Sequence, residues 1–121
     1  MGKYVVNKKD NGASFNLVAG NGEIIGRSEF YTTEAACLNG IESVRRNAVE
    51  AGVEDQTVEG FEKLKHPKFE IFKDKRDEFR FRLKATNGEI ILASEGYTAK
   101  ASCKNGIDSV VRNADSPVVN E

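Results

Sequence analysis

Apolar and polar residues alternate in two separate stretches of this chain, with the period of two that is typical of a half-buried β-strand. The alternating apolar residues are Ala13, Phe15, Leu17 and Ala19 in the first stretch and Phe79, Phe81, Leu83 and Ala85 in the second. A short apolar run, at 4–7 and at 69–72, precedes each stretch and is separated from it by a polar turn. The pattern therefore predicts two β-hairpins of the same design.

An Asn-Gly pair follows each alternating stretch, as Asn21-Gly22 and as Asn87-Gly88. Asn-Gly between two strands favours a two-residue type I′ turn, because that turn needs positive φ at both central positions. We therefore expect a third strand after each turn. The register that such a turn imposes pairs Ala85 with Ile90, Leu83 with Leu92, Phe81 with Ser94, Arg80 with Glu95 and, in the first half, Phe15 with Ser28.

A helix is predicted after each third strand, because one apolar stripe then recurs at intervals of three and four residues. The stripes are Cys37, Ile41, Val44 and Ala48 in the first half and Cys103, Ile107, Val110 and Ala114 in the second. Thr32 and Thr98 are the predicted N-caps, since a threonine hydroxyl accepts from a free amide of the first turn. Gly40 and Gly106 lie within the helices, where glycine costs about 1 kcal/mol relative to alanine. Their recurrence predicts close approach of each helix to the sheet or to its twin.

The two halves of the chain are copies of one another. Residues 21–48 align without a gap with residues 87–114, and roughly two thirds of the aligned positions are identical, which indicates an internal duplication. Each copy reads β-β-β-α, with a short last strand near 53–61 or near 117–119. One copy alone would leave much of its apolar surface in water, so the copies must cover each other.

The duplication predicts an α+β fold with pseudo-twofold symmetry, as if a homodimer had been fused into one chain. Unit one, residues 1–62, and unit two, residues 63–121, are expected to form one compact domain. We expect the units to share one antiparallel sheet with both helices packed on one face of it.

Repeat two resembles a known family. NGEIILASEGYT at 87–98, followed by KASCKNGIDSVVRNA at 100–114, is similar to the signature of the YegP-like family of small, mostly bacterial proteins of unknown function. Repeat one departs from the signature at Gly26, Arg27 and Phe30. The resemblance implies two β-β-β-α-β units that share a sheet and exchange their last strands. It implies no catalytic residue, no cofactor and no particular partner.

Charge and hydropathy narrow the class of protein. The net charge is −1, although the second half is the more basic. No apolar run approaches the ~20 residues that span a bilayer, and no secretion signal is evident. We therefore expect a cytoplasmic protein that does not associate with membranes. A monomer is expected, with a homodimer as the alternative.

The sequence offers no catalytic constellation. A zinc site needs about four ligands at characteristic spacings, and the two cysteines and one histidine do not supply them. Cys37 and Cys103 lie on the apolar stripes, which predicts small buried hydrophobes. The stretches SEFYT (28–32) and SEGYT (94–98) contain serines, but a serine nucleophile needs a base, and His66 lies in the linker between the units. We therefore predict no enzyme, no cofactor and no metal site.

The strongest candidate for binding is a basic strand face in unit two. Arg80, Arg82 and Lys84 alternate with apolar residues and so point to one side, with Lys73 just before them. Such a face can bind a phosphate backbone or another acidic partner. The first repeat has Ser14, Asn16 and Val18 at these positions, so the patch is not symmetric. The alternative is a solvated face on which Arg80 pairs with Glu95.

Three functional hypotheses follow from the sequence. The first is a non-catalytic binding module that uses the sheet face or the groove between the units. The second is a small-ligand binder or cryptic enzyme with a site at the inter-repeat junction, formed by Ser28, Ser94, Tyr31 and Tyr97. The third is a homo-oligomerising structural protein that pairs through its edge strands.

Overall fold

The computed structural model describes residues 2–120; Met1 and Glu121, the outer ends of the two predicted units, lie outside them. The described residues form eight strands and two helices. The strands are β1 Lys3–Lys9, β2 Gly12–Val18, β3 Ile24–Arg27, β4 Gly52–Asp55, β5 Lys68–Lys73, β6 Phe79–Lys84, β7 Ile90–Ala93 and β8 Val118–Asn120. Helix α1, Glu34–Ala48, lies between β3 and β4, and helix α2, Lys100–Asn113, lies between β7 and β8. Each unit is therefore β-β-β-α-β.

All eight of these strands belong to one sheet, in the order β4-β5-β6-β7-β3-β2-β1-β8. The order is unchanged when the two units are exchanged, as a pseudo-twofold axis requires. Arg27 and Ala93 are the one residue pair that joins β3 to β7 in the described chain. These two residues occupy equivalent positions in the repeats, so the axis passes between them. The molecule is built like a symmetric dimer within a single chain.

The prediction of a purely antiparallel sheet is wrong at both ends. The inner six strands run antiparallel to their neighbours, but β4 pairs with β5 in parallel and β8 pairs with β1 in parallel. Antiparallel neighbours are typically joined by a tight turn, whereas neither of these pairs has one. Each last strand instead leaves its own helix and crosses to the first strand of the other unit. This is the strand exchange that the family resemblance implies.

One buried cluster joins the inner face of the sheet to both helices in the described chain. Its largest fully buried rings are Tyr4 and Phe15 from unit one and Phe69 and Phe81 from unit two. The Tyr4 hydroxyl donates to the Ala114 carbonyl oxygen at 2.7 Å, which ties the first strand to the end of α2. The two units therefore share one interior, as the duplication predicts.

The cysteines are part of this interior, as predicted. Cys37 and Cys103 are both 0% exposed. Burial raises the pKa of the Cys103 thiol to about 11, and it raises the pKa of Cys37 as well. Since the thiolate is the reactive form, both residues behave as small hydrophobes.

None of the helices in the described residues is long and apolar enough to cross a membrane.

The Asn-Gly turns differ from the type I′ prediction. Gly88 has a positive φ of 85°, but Asn87 does not. The Gly88 amide donates to the Ala85 carbonyl and the Ala85 amide donates to the Glu89 carbonyl, which makes a three-residue turn closed by a bulge. The pairing slips by one residue beside this turn, so Ile90 pairs with Lys84 and the predicted Ala85–Ile90 pair is wrong.

Beyond the bulge the predicted register is confirmed. Leu83 pairs with Leu92. The Ser94 amide donates to the Phe81 carbonyl, and the Ser28 amide donates to the Phe15 carbonyl, each at 2.9 Å. The bulge absorbs the extra turn residue locally, so the pairs farther from the turn keep the expected partners.

The predicted helix N-caps are wrong in both units. Thr33, not Thr32, caps α1, and its hydroxyl accepts from the Ala36 amide at 3.0 Å. Helix α2 has Ala99 in the cap position, and alanine has no side-chain acceptor. The tyrosines of the SEFYT and SEGYT stretches explain the shift, because Tyr31 and Tyr97 still pair with the neighbouring strand. The chain therefore stays extended for longer than the prediction assumed.

The two glycines within the helices allow close approach, as predicted. A Cβ atom at Gly40 would overlap the ring and hydroxyl of Tyr31, and a Cβ at Gly106 would overlap those of Tyr97. Helix α1 thus packs directly against Tyr31, and helix α2 packs directly against Tyr97. Each tyrosine lies in the segment that connects the third strand of its unit to the helix. The tyrosine ring fills the space that a side chain on the helix would need.

Replacing Gly40 or Gly106 with alanine should therefore destabilise the protein, although alanine is the better helix former. We expect a loss of about 1–3 kcal/mol, the usual range for overpacking, in the free energy of unfolding measured by urea denaturation. Asn39→Ala is the matched control at an exposed helix position, where a gain of a few tenths of a kcal/mol is expected. A stabilising Gly40→Ala substitution would show that the contact with Tyr31 is not limiting.

Candidate functional site

Three of the predicted basic residues, Arg80, Arg82 and Lys84, lie on the outer face of unit two. Lys73 instead lies on the inner side, beside its strand partner Phe79. Each of the four contacts a carboxylate. Arg80 Nε lies 2.5 Å from an Asp74 oxygen, and Lys73 Nζ lies 3.4 Å from Asp77. Arg82 Nε lies 2.6 Å from Glu70 Oε1, and Lys84 Nζ lies 3.4 Å from the same oxygen. The predicted Arg80–Glu95 pair is wrong, since Glu95 instead pairs with Arg27 across the seam at 3.1 Å.

A buried ion network lies beneath these contacts. Glu54 is 2% exposed, Lys68 6% and Glu70 3%. Lys68 Nζ lies 2.8 Å from Glu54 Oε1 and 3.3 Å from Glu70 Oε2. The linker closes over it, because the Leu64 amide also donates to Glu54 Oε1 at 2.8 Å. We call Glu54, Lys68, Glu70, Arg82 and Lys84 the charged cluster.

The charged cluster holds its carboxylates ionised. Burial alone would raise the pKa of Glu54, but hydrogen bonds from Lys68, Gln56 and the Leu64 amide outweigh it and lower the pKa to about 2. The pKa of Glu70 is lowered in the same way, mainly by Arg82 and Lys68 against its burial. The positive charges of this face are therefore largely matched by negative charges of the same molecule.

The outer face of unit one is different in character. Val5 pairs with Val119 at the position where, at the opposite end of the sheet, Glu70 pairs with Glu54. Val18 stands at the position of Lys84. As the sequence predicts, the charged face is not repeated across the axis.

The serines of the SEFYT and SEGYT stretches are engaged by the backbone. The Ser28 hydroxyl accepts from the Phe15 amide at 2.8 Å and donates to the Glu29 carbonyl at 2.7 Å. The Ser94 hydroxyl makes the same two bonds, with the Phe81 amide at 2.9 Å and the Glu95 carbonyl at 2.8 Å. Each hydroxyl thus takes the place of a backbone hydrogen-bonding partner where the chain leaves the sheet. The role of both serines is therefore structural.

The junction predicted to hold Ser28, Ser94, Tyr31 and Tyr97 is divided in the structure. A depression of about 410 Å³ at the seam contains both serines, together with Arg27 and Ile90, but neither tyrosine. Tyr31 and Tyr97 pack instead against different helices, each stacked on a phenylalanine with the ring centres 6.4 Å apart. The structure therefore does not bring the four predicted residues into one site.

A polar groove lies where α2 of unit two meets the β2–β3 turn of unit one. Its volume is about 250 Å³. We call it the α2 groove. It is lined by Ala19, Asn21, Glu23 and Ile25 of unit one and by Tyr97, Ser102, Asn105, Gly106 and Ser109 of unit two. Neither unit could form this groove alone.

The lining of the α2 groove recurs in the opposite repeat at every position but one. The equivalent residues are Ala85, Asn87, Glu89, Ile91, Tyr31, Asn39, Gly40 and Ser43, with Ala36 in place of Ser102. Symmetry places this set around α1, and Thr86 Oγ1 lies 3.1 Å from Asn47 Oδ1, which links the β6–β7 turn to the end of that helix. We call this second set the α1 site.

Two carboxylates in these sites differ from those of the charged cluster. In residues 2–120, the side chains of Glu23 and Glu89 form no ion pair and no hydrogen bond. Their backbone amides are held by Asn21 and Asn87, so the turn itself is rigid. Both carboxylates are therefore available to a ligand.

The sequence contained a signal for these sites that the predictions did not use. Exposed polar residues that are identical in both repeats, such as Glu23 and Glu89, have no burial constraint to explain their recurrence. Their convergence on Tyr97 and Asn105 of the other unit depends on how the units pair. The pairing becomes visible only in the folded chain.

The fold defines a class: an α+β protein of two tandem repeats that share one sheet and exchange their last strands. The chain belongs to the family described as a domain of unknown function, DUF1508, which matches residues 9–55 and 74–121. The two matches confirm the YegP-like resemblance and its duplicated form.

Relatives of both lengths are known. The UPF0339 protein YegP of Yersinia pestis is 38% identical over 122 residues, which cover 100% of this chain and 96% of that protein. A UPF0339 protein of Treponema denticola is 57% identical over 54 residues, which cover 45% of this chain but 93% of that protein, so it is about one repeat long. The solution NMR structure of yegP from E. coli, a protein of unknown function, has a TM-score of 0.78 at 32% identity and covers 99% of this chain and 92% of that chain.

Proposed function

We propose that the protein is a non-catalytic binding module that holds a small polar ligand in the α2 groove and in the α1 site. The observation that carries this proposal is the recurrence of the lining, including the exposed carboxylates of Glu23 and Glu89, at two sites that each need both units. The outer sheet face offers a weaker site, because its cations already contact carboxylates of the same chain.

The chemistry of the α2 groove suits a small ligand with hydrogen-bond donors. Glu23, Ser102 and Asn105 present oxygen acceptors, while Ile25 supplies an apolar wall. A volume of about 250 Å³ lies just below the 300–1,000 Å³ that is typical of sites for drug-sized molecules. The ligand that fits is therefore of the size of an amino acid or a short amine rather than a nucleotide.

Binding without catalysis fits the side chains available. The serine hydroxyls at the seam are committed to backbone bonds. Burial raises the pKa of Tyr31 to about 12, with the Glu29 carboxylate adding to the effect, so its phenol is a poor base at neutral pH. The family is one of unknown function, and its descriptions name no reaction.

Titrating the protein with small polar compounds, followed by amide NMR shifts, tests the proposal. We expect shift changes at Glu23, Tyr97 and Gly106. Ser102→Leu should remove them, because the larger side chain fills the α2 groove. Ala101→Leu is the matched control on the exposed neighbouring position, and it should leave binding unchanged. Shift changes confined to the outer sheet face, and unaffected by Ser102→Leu, would contradict the proposal.

A second, weaker proposal keeps the face predicted from sequence. Arg80, Arg82 and Lys84 lie on the open side of the sheet, while Lys73 lies at the end of the neighbouring strand and faces the inner side. The exposed parts of these side chains would contact nucleic acid. Because phosphates would compete with the present partners Asp74, Asp77 and Glu70, we expect only a weak gel shift that disappears as salt is raised. Replacing Arg80, Arg82 and Lys84 together with alanine should abolish the gel shift; a shift that survives in that variant would exclude this face.

A further inference from the structure

We infer that the ligand of the α2 groove and of the α1 site carries a cationic nitrogen group, an ammonium or a guanidinium. The carboxylate of Glu23 would bind it in the α2 groove, and that of Glu89 in the α1 site. This inference rests on the proposed function and specifies the ligand class for the same two sites.

Charge balance is the first argument. No lysine or arginine lines the α2 groove among the described residues, and Glu23 is the one acidic residue that does. The nearby Glu95 is paired with Arg27 at 3.1 Å. The groove therefore carries one uncompensated negative charge. Glu23 is exposed to solvent, so the Coulomb attraction is modest and is screened by salt, but its sign favours a cation over an anion.

The position of the charge is the second argument. Glu23 of unit one and Tyr97 of unit two both line the groove. Burial raises the pKa of Tyr97, and Cys103, Glu95 and Glu23 add to this effect in decreasing order. Burial likewise raises the pKa of Tyr31, and Glu29, Cys37 and Glu89 add to this effect in decreasing order. In each site a carboxylate from one repeat thus faces a phenol from the other. A cation bound between them would be attracted by the carboxylate and could donate to the phenol oxygen.

The number of acceptors is the third argument. An ammonium has three donors and a guanidinium has five, and both need several oxygen acceptors around them. Ser102 and Asn105 add such acceptors to Glu23, and in residues 2–120 neither side chain is used in another hydrogen bond. A carboxylate or phosphate ligand would find few donors here and would be repelled by Glu23.

The two sites should not be equal. The α1 site has Ala36 where the α2 groove has Ser102, so it lacks one acceptor. We therefore expect two binding sites per chain, with the α2 groove the tighter. Since each site combines residues of both units, an isolated repeat would hold only half of either one.

A matched series of probes tests the ligand class on the intact chain. The probes are butylamine, butylguanidine, butanol and butyrate, which share one alkyl chain and differ in the charge of the head group. NMR titration should show butylamine and butylguanidine shifting the amides of Glu23, Tyr97 and Gly106, with butanol and butyrate much weaker. Glu23→Gln should weaken binding at the α2 groove at least about tenfold, and Glu89→Gln should do so only at the α1 site. Glu59→Gln, at an exposed glutamate that lines neither site, is the control.

The outcomes separate the two proposals. If butanol or butyrate binds the groove as well as the cations do, or if Glu23→Gln has no effect, the cationic ligand class is wrong while the groove remains a binding site. If none of the probes shifts the groove amides, both the ligand class and the proposed function are overturned. Binding of the cations that weakens as salt rises would agree with an ionic contact.

Discussion

Lys68→Met should lower the free energy of unfolding by about 3–5 kcal/mol, the range found when one partner of a buried ion pair is removed. Lys68 lies 2.8 Å from Glu54 and 3.3 Å from Glu70, and all three side chains are nearly inaccessible. Glu70 would keep Arg82 and Lys84 as partners. Glu54 would keep only neutral hydrogen bonds, so its negative charge would be buried without a counter-charge.

The pH dependence of this variant should differ in sign from that of the natural protein. In the natural chain the lowered pKa of Glu54 contributes stability above its unfolded value of roughly 4.5, and that stability is lost as the pH falls towards about 2. Without Lys68, burial raises the pKa of Glu54 instead, so the variant should become relatively more stable as acidification protonates this carboxyl. Urea denaturation across the acidic range measures both slopes.

Glu54→Gln in the Lys68→Met background provides the control. The double variant buries no unpaired charge, so we expect it to recover a large part of the lost stability. Val119 of the second repeat occupies the position equivalent to Glu54 at the opposite edge of the sheet, which shows that the fold itself does not need a charge there. A double variant as unstable as Lys68→Met alone would mean that shape, rather than unpaired charge, sets the cost.

The fold was predictable from the sequence because the same hydrophobic pattern occurs in both repeats, so each repeat supports the interpretation of the other. Alternating residues such as Phe15 and Phe81 define the inner face in both units, and the stripes ending in Ala48 and Ala114 define the helices. The strand exchange came from the family resemblance rather than from any residue pattern. The parallel outer pairs were missed because the short strands β4 and β8 carry little alternation to reveal their partners.

The candidate site was predictable only in part. Local patterns placed Arg80, Arg82 and Lys84 on one face, as the structure does, but they could not show that Glu70 and Asp74 would arrive from neighbouring positions to pair with them. The α2 groove depends on Glu23 and Tyr97, which are far apart in sequence and belong to different repeats. Contacts between the units produce no periodic pattern of hydrophobic residues in either repeat, so the sequence does not reveal them.

Departures from the repeat mark where the two units meet. Repeat one has Gly26 and Arg27 where repeat two has Leu92 and Ala93. The structure places all four at the pseudo-twofold axis, where Arg27 pairs with Ala93. A Cβ atom at Gly26 would lie only 2.6 Å from Leu92 Cγ. Near the axis, equivalent residues of the two repeats such as Gly26 and Leu92 contact each other. The space that one leucine and one glycine fill is therefore too small for two leucines.

Gly26→Leu, which makes the repeats identical at this position, should therefore destabilise the protein by about 3 kcal/mol or more, at the upper end of overpacking effects. Leu92→Gly should also be destabilising, because it empties a fully buried position. Combining the two moves the leucine across the axis, and symmetry predicts that the double variant is clearly more stable than either single variant. Thermal and urea unfolding of the three proteins give the coupling energy. Additive losses in the double variant would show that the two positions do not share one space, and that the axis does not explain why the repeats diverged there.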